Sequence, residues 1–456
     1  MLDMLVRALA LTLATSLVAS PCSARPRYTM DRAVMLIRHG IRAPLEGEAA
    51  AAPLARAPFP QWDTPASHLT PHGAAALRIL AQFERGRLLR QGLLPAGRCP
   101  APNALTIWTN SLSRTIASGH ALAEGLAPGC PVAVDHRGEG DTDPLFNALE
   151  ARAVPFDATQ AAASINAELQ DGTALMRGTA AGFAAMERVL GCASSVPPCT
   201  FAAMPNRITP SADGKGISLS GAIDLTSGTA QVFLLQYAEG FPMQRVGWGR
   251  ASAKDIQAMS LLHARLFDVF ARSAYMAPRV GGLIARAIAA DLSQPKAPAV
   301  RVYVGHDNTI AAVTAILGVH FTMPGYGADD PPIGGGLLFE RLTDRRTHNH
   351  VIRLSYIAQT PSAARHLSIA GQRGPIIVRH LPIERAFHLS PQTVNQDGGT
   401  AAVAAAAVMR SEGKYAEVLE GGYAWQDVVG RQHAAEGGPH RGGPHHAAKR
   451  MAVIPN

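Results

Sequence analysis

Three short segments hold the residues best suited to catalysis: Arg38-His39-Gly40-Ile41-Arg42-Ala43-Pro44, Ser113-Arg114-Thr115 and His306-Asp307. Gathered at one point, they would present three guanidiniums (Arg38, Arg42, Arg114), two imidazoles (His39, His306) and one carboxyl (Asp307). A planar guanidinium fork matches phosphate oxygens two at a time. Phosphoryl transfer asks a protein mainly for positioning and charge neutralisation, and one well-placed arginine is worth on the order of 10³–10⁵ in rate. Three arginines meet that demand alone, so neither a metal nor a cofactor is expected. Cationic neighbours also lower the pKa of a histidine and keep one ring nitrogen free to attack. A carboxyl that carries its proton in acid is suited to protonating a leaving group. Taken singly, each residue has a plainer role: His306-Asp307 as a solvated helix start, Arg114 as a surface salt-bridge residue. Only their convergence makes a site.

That convergence depends on the elements around them. Val34-Met35-Leu36-Ile37 is a continuous apolar run, the pattern of a strand buried on both faces of a parallel sheet, and it ends in Arg38-His39-Gly40. Leu105-Thr106-Ile107-Trp108 reads as a second strand, followed by the loop before Arg114 and an Ala-rich helix. Val300 to Val304 reads as a third strand; it runs into Gly305-His306-Asp307 and then a helix from Asn308 to Leu317, stopped by Gly318. Thr70 and Pro71 open another helix as N-cap and first residue, with Ala76, Leu77, Leu80 and Phe83 on its buried face. Alternating strands and helices predict an α/β domain. Such sheets bind ligands just outside the carboxyl ends of their strands, where helix N-termini also favour anions.

Arg38 to Pro44 is similar to the RHGxRxP signature of histidine acid phosphatases, and His306-Asp307 to their second HD motif. Leu69-Thr70-Pro71-His72-Gly73, Ser113-Arg114-Thr115 and Asp143-Pro144-Leu145-Phe146-Asn147 extend the resemblance, which runs from Val34 to Tyr356. Within the family the chain looks like the bacterial periplasmic branch of phytases and glucose-1-phosphatases. Leu45, Glu239-Gly240-Phe241-Pro242-Met243 and Trp248-Gly249 lean toward the latter. The resemblance implies a phosphoglycerate-mutase-like, mostly parallel sheet flanked by helices, with an inserted, mainly α-helical subdomain. It implies hydrolysis of a small-molecule phosphate monoester, a sugar phosphate such as glucose 1-phosphate or phytate, through a phosphohistidine on His39. Arg38, Arg42, Arg114 and His306 would then hold the phosphate oxygens, and Asp307 would protonate the leaving oxygen and later activate water. Two rivals stand beside this reading: a phosphoglycerate-mutase-like phosphotransferase, which shares the RHG core and phosphohistidine chemistry, and a periplasmic binding protein for phosphate esters, which would use the same arginines but needs neither His39 nor Asp307. Two departures from the family stand out. No cysteine follows Cys199, where bacterial phytases often carry a further disulfide, and Gln231 falls where some members place an acidic residue near the pocket.

With 456 residues, 47% hydrophobic and 17% charged, the chain has material for a large core and too little charge for general disorder. Arg7, the apolar stretch Ala8 to Ala19 and Cys22-Ser23-Ala24 read as an export signal cleaved after Ala24. The apolar stretch is shorter than the roughly 20 residues of a spanning helix, and Pro21 before Cys22 argues against a lipid anchor. The mature protein is therefore expected to be periplasmic or secreted, free of the membrane. Cleavage removes one base and one acid, leaving a net charge of +8 that gathers anionic substrates. Lys and Arg are dispersed, with no basic run interleaved with aromatics, which argues against nucleic acid as a partner. Cys99, Cys130, Cys192 and Cys199 remain, and in an oxidising compartment an even number suggests two disulfides with three possible connectivities. The short spacing favours Cys192 with Cys199, leaving Cys99 with Cys130. The expected organisation is a signal at 1–24, an α/β domain at 25–134 and 255–398, and a helical insert at 135–254. An Ala-rich stretch and a Gly/His-rich tail, expected to be disordered, follow at 399–456. The tail histidines, separated by Gly and Pro, have no preformed metal geometry.

Overall fold

A computed structural model of the chain describes residues 27–192, 200–368 and 376–380. The signal at 1–24, Cys199 and the tail at 399–456 lie outside the described residues. In chain order the elements are β1 (Tyr28–Arg38), α1 (Pro71–Arg90), β2 (Leu105–Thr109), α2 (Ser113–Leu126), β3 (Val134–Asp135), α3 (Ala158–Leu169), α4 (Ala180–Leu190), β4 (Arg207–Pro210) and β5 (Ile217–Ser220). There follow α5 (Ala222–Ala238), α6 (Ala253–Phe267), α7 (Ala277–Ser293), β6 (Val300–Gly305), α8 (Asp307–Ile316), β7 (Gly336–Asp344), β8 (His350–Gln359), α9 (Pro361–Arg365) and β9 (Ile376–His380).

The central sheet has the order β3-β2-β6-β1-β7-β8-β9. On one side of β1 the pairings are parallel, β1 with β6, β6 with β2 and β2 with β3. On the other they are antiparallel, through β7 and β8 to β9. The continuous apolar run in β1 has a direct cause. Val34 and Leu36 point into a core shared with the helices α3 to α8, whereas Ala33, Met35 and Ile37 point into a second core beneath α1 and α2. A strand covered on both faces cannot alternate apolar with polar.

The helices begin where the sequence marks them. Thr70 caps α1, its hydroxyl accepting from the Gly73 N–H, with Pro71 at the first turn. Ser252 and Asp255 form a reciprocal capping box at the start of α6. In the stretch 135–254, α3, α4 and α5 are joined by a two-stranded hairpin, β4 with β5. The helix α5 packs on α6, and α6 on α4. Cys99 and Cys130 form a disulfide that ties the segment after α1 to the end of α2. Cys192 is also disulfide-bonded. Among the described residues no helix is long and apolar enough to cross a membrane.

Candidate active site

Register brings the two motifs together. Across the parallel pair β1 and β6, Arg38 stands opposite Gly305, so His39 and His306 leave adjacent strand ends side by side. The His39 N–H donates to the Gly305 carbonyl at 3.0 Å, and the two imidazole centroids are 5.6 Å apart. Gly305 has to be glycine, because a Cβ there would lie 2.6 Å from the Phe146 ring. The loop after His39 is clamped in turn against α1: a Cβ on Gly73 would lie 2.2 Å from the Ile41 carbonyl oxygen. From β2, the chain passes through Asn110 to Arg114 in the first turn of α2.

All six expected residues are buried or nearly so around one point. Arg38 donates from Nη1 to the Pro331 carbonyl at 2.6 Å, and its Nη2 lies 2.6 Å from Asp307 Oδ2. Arg42 is held by Glu48 in a two-pronged pair, Nη1 to Oε2 at 2.7 Å and Nη2 to Oε1 at 2.8 Å. On Arg114, the buried Nε and Nη2 have no protein partner. Buried donors without acceptors are costly; here they describe a place for an anion.

The tautomers follow from the partners. His39 Nδ1 is 2.9 Å from the Gly40 carbonyl, which only accepts, so Nδ1 carries the hydrogen and Nε2 keeps its lone pair. Asn110 donates from Nδ2 to Asn147 Oδ1 at 2.7 Å, leaving its Oδ1 to accept from His306 Nε2 at 3.2 Å. Burial pushes His39 well below the ordinary imidazole range, and Arg114, Arg42, Arg38 and His306 push the same way. His306 is lowered by burial and by Arg114, against the opposing pull of Asp307. Burial alone would raise Asp307, but Arg38, His263 and His306 outweigh it and hold the carboxylate ionised. For Arg114, burial and then Arg42 bring the guanidinium down to about 9, still charged at acid and neutral pH.

Several neighbours of the site do not belong to the expected set. They are Glu48, Asn110 with Asn147, and a pair behind Asp307: His263 on α6 and Asp330 in the loop before β7. A signal for His263 exists, since Ser260 and His263 interrupt the buried face formed by Ile256, Met259 and Phe267. Glu48 and Asp330 sit in irregular loops, where periodicity carries no signal. Gln231 is buried on α5 with both polar atoms of its amide unpartnered.

The family model of the histidine phosphatase superfamily (branch 2) matches residues 29–178 and 236–357. The chain belongs to this superfamily. It is 28% identical over 362 residues to a glucose-1-phosphatase of Salmonella typhimurium, covering 76% of this chain and 85% of that protein. It is 29% identical over 359 residues to the phytase AppA of Escherichia coli, covering 74% and 82%. A solved apo structure of Hafnia alvei phytase superposes with a TM-score of 0.74 at 28% identity, covering 85% of this chain and 98% of that one. The fold is that of the family, and the protein is a phosphoric monoester hydrolase.

Proposed function

We propose that this branch 2 histidine phosphatase cleaves the phosphate ester of a compact, neutral alcohol such as a hexose, using His39 as nucleophile and Asp307 as general acid. The observation that carries the mechanism is the free Nε2 of His39 facing a cluster of three buried guanidiniums. Arg38, Arg42 and Arg114 draw in the phosphate and neutralise it, while holding His39 unprotonated for attack on phosphorus. In the free protein Asn110 holds the Nε2–H of His306; in the complex a phosphate oxygen takes it. Asp307 protonates the departing oxygen, and its carboxylate then deprotonates the water that hydrolyses phospho-His39.

The substrate class is supported by a cleft of about 460 Å³ that opens beside the loop after Arg42. Pro44, Leu45, Phe59, Gln61, Trp62 and Val232 line it, with no lysine or arginine among the lining residues. Aromatic and aliphatic walls suit a sugar ring. The walls themselves carry no counter-charge for the remaining phosphates of an inositol hexakisphosphate, and the Arg245 guanidinium behind them is engaged with the Gln61 carbonyl at 2.7 Å. For the compartment, the disulfide between Cys99 and Cys130 joins the N-terminal export pattern in favouring an oxidising space outside the cytoplasm.

The test is phosphate release at acid pH, with chelator present, from glucose 1-phosphate, phytate and p-nitrophenyl phosphate, by the wild type and by His39→Ala. Turnover that favours glucose 1-phosphate over phytate and vanishes in the variant is expected. Residual turnover in a folded His39→Ala protein would end the phosphohistidine reading, and a preference for phytate would end the neutral-alcohol reading.

A further inference from the structure

The proposed acid poses a problem of supply. Asp307 Oδ2 lies 2.6 Å from Arg38 Nη2, and the Asn308 N–H donates to its Oδ1 at 2.9 Å. Both contacts favour the carboxylate, yet a general acid must carry a proton. The histidine His263 points at the same oxygen, with Nε2 3.8 Å from Asp307 Oδ2. Its other nitrogen, Nδ1, is 2.7 Å from Asp330 Oδ1. A carboxylate accepts, so Nδ1 carries a hydrogen and Nε2 is the nitrogen that gains or loses one toward Asp307. Asp330 is fully buried and fixed, its other oxygen accepting from the Ser260 hydroxyl, which itself accepts from the Gly327 N–H at 2.8 Å. The other groups around this chain are Arg38 on β1, His306 before α8, Tyr326, Tyr356 on β8 and the Phe267 ring against His263. Tyr326 and Tyr356 are held neutral by burial, so His263 and Asp307 are the pair placed to exchange a proton.

We infer that His263, oriented by Asp330, is a positioning residue that stores the proton Asp307 delivers to the leaving group. The inference rests on the reading of Asp307 as general acid. In the resting site His263 is the imidazolium and Asp307 the carboxylate. As His39 Nε2 bonds to phosphorus and the ester P–O bond breaks, the leaving oxygen takes a proton from Asp307, and Asp307 takes one from His263 Nε2. The alcohol departs, leaving phospho-His39 and a neutral His263. When water attacks phosphorus, its proton passes to Asp307 and on to His263, the P–N bond breaks, and the lone pair returns to His39. The cycle consumes one ester and one water and ends with every proton restored.

The experiment compares the wild type with His263→Gln, Asp330→Asn and Asp307→Asn on glucose 1-phosphate and p-nitrophenyl phosphate, across pH. The inhibition constant of inorganic phosphate reports the intact anion site. His263→Gln is expected to lower kcat/KM, which reports the step up to phospho-His39, on glucose 1-phosphate by on the order of 10-fold, less than the roughly 10²–10⁴-fold that a direct acid contributes. It should leave p-nitrophenyl phosphate, whose anion departs unaided, within about threefold, because no proton is needed there. The alkaline limb of kcat/KM on glucose 1-phosphate should move to lower pH in both His263→Gln and Asp330→Asn, a change that loosened packing would not produce. Equal losses on both substrates, or an unmoved limb, would overturn the inference. If His263→Gln does not fold, the limb of Asp330→Asn decides. Asp307→Asn separates the two levels when read as kcat/KM, which ends at the phospho-His39 that both substrates share: a loss confined to glucose 1-phosphate upholds the acid whatever His263 does, and an equal loss on both substrates removes the acid and the relay together.

Discussion

Arg38 Nη2 and Asp307 Oδ2 stand 2.6 Å apart, joining the last residue of β1 to the first of α8. The same guanidinium grips the Pro331 carbonyl through Nη1. Arg38 thus fixes Asp307 with a fully buried charge, the same one that is proposed to hold the phosphate. A phosphate dianion arriving there competes with Asp307 for Arg38, and the carboxylate gives up some of its stabilisation when the ester is bound.

Replacing Arg38 with alanine should therefore do two things. The value of kcat/KM should fall by on the order of 10³-fold, the lower end of what a phosphate-clamping arginine is worth. The pKa of His39, the proposed nucleophile, should rise, since Arg38 is one of the groups that join burial in holding it down, and the acid limb of the activity profile should move to higher pH. Steady-state kinetics from pH 2.5 to 7 would show both; a loss below tenfold with an unmoved limb would contradict this placement.

Glu48 is the counter-ion of Arg42, and both are buried. Burial works against the Arg42 charge, and Glu48 more than offsets it. Removing one partner of a buried pair strands the other, at a cost of about 3–5 kcal/mol. Glu48→Ala is expected to unfold at correspondingly lower urea. Inorganic phosphate, an anion that binds only the folded site, should raise the midpoint of the variant more than that of the wild type. An equal rise in the two proteins would show that Glu48 does not set the charge of the site.

Acidification should weaken the free protein through its site histidines. In the unfolded chain a histidine titrates near pH 6.5, while burial and the arginines hold His39 and His306 well below that in the folded state. Below about pH 6.5 the unfolded state binds more protons, so this contribution to stability is lost as pH falls toward the folded values. Glu84 and Glu239, each pushed up to about 7 by burial, act in the opposite sense. The readout is thus the difference between the wild type and His39→Asn in melting temperature from pH 7.5 to 4. The variant should show the shallower acid loss, and parallel curves would refute the argument.

Reduction should destabilise the protein through Cys99 and Cys130, which close a loop with a sequence separation of 31. Loops of that size correspond to about 3–4 kcal/mol in the chain-entropy account. A melting temperature unchanged after full reduction would show that the bridge carries no stability.

Sequence patterns reveal the site where its chemistry is local to strand ends. Val34 to Ile37 and Val300 to Val304 are apolar because both faces are covered, so the charged residues that follow them stand out. The strand β7 is harder to read, because Glu340 in its middle is buried. Arg87 from α1 and Arg353 from β8 satisfy it at 3.0 and 2.6 Å, and neither partner is visible from its own neighbourhood. The same applies to Glu48, Asp330 and Asn110. Each matters through hydrogen-bonded contacts that only the assembled sheet and helices create.

The strand order carries a consequence for how the protein is made. Both neighbours of β1 come from far along the chain, β6 from Val300–Gly305 and β7 from Gly336–Asp344. A ribosome adding about 5–20 residues per second needs on the order of 10–50 s to travel from Arg38 to Val300. Throughout that interval the nascent polypeptide has His39, the proposed nucleophile, but not the residues that gather around it, and the strand leading to it has two open edges. No site can assemble until His306 and Asp307 have been added, and the emerging strand has to be sheltered until then.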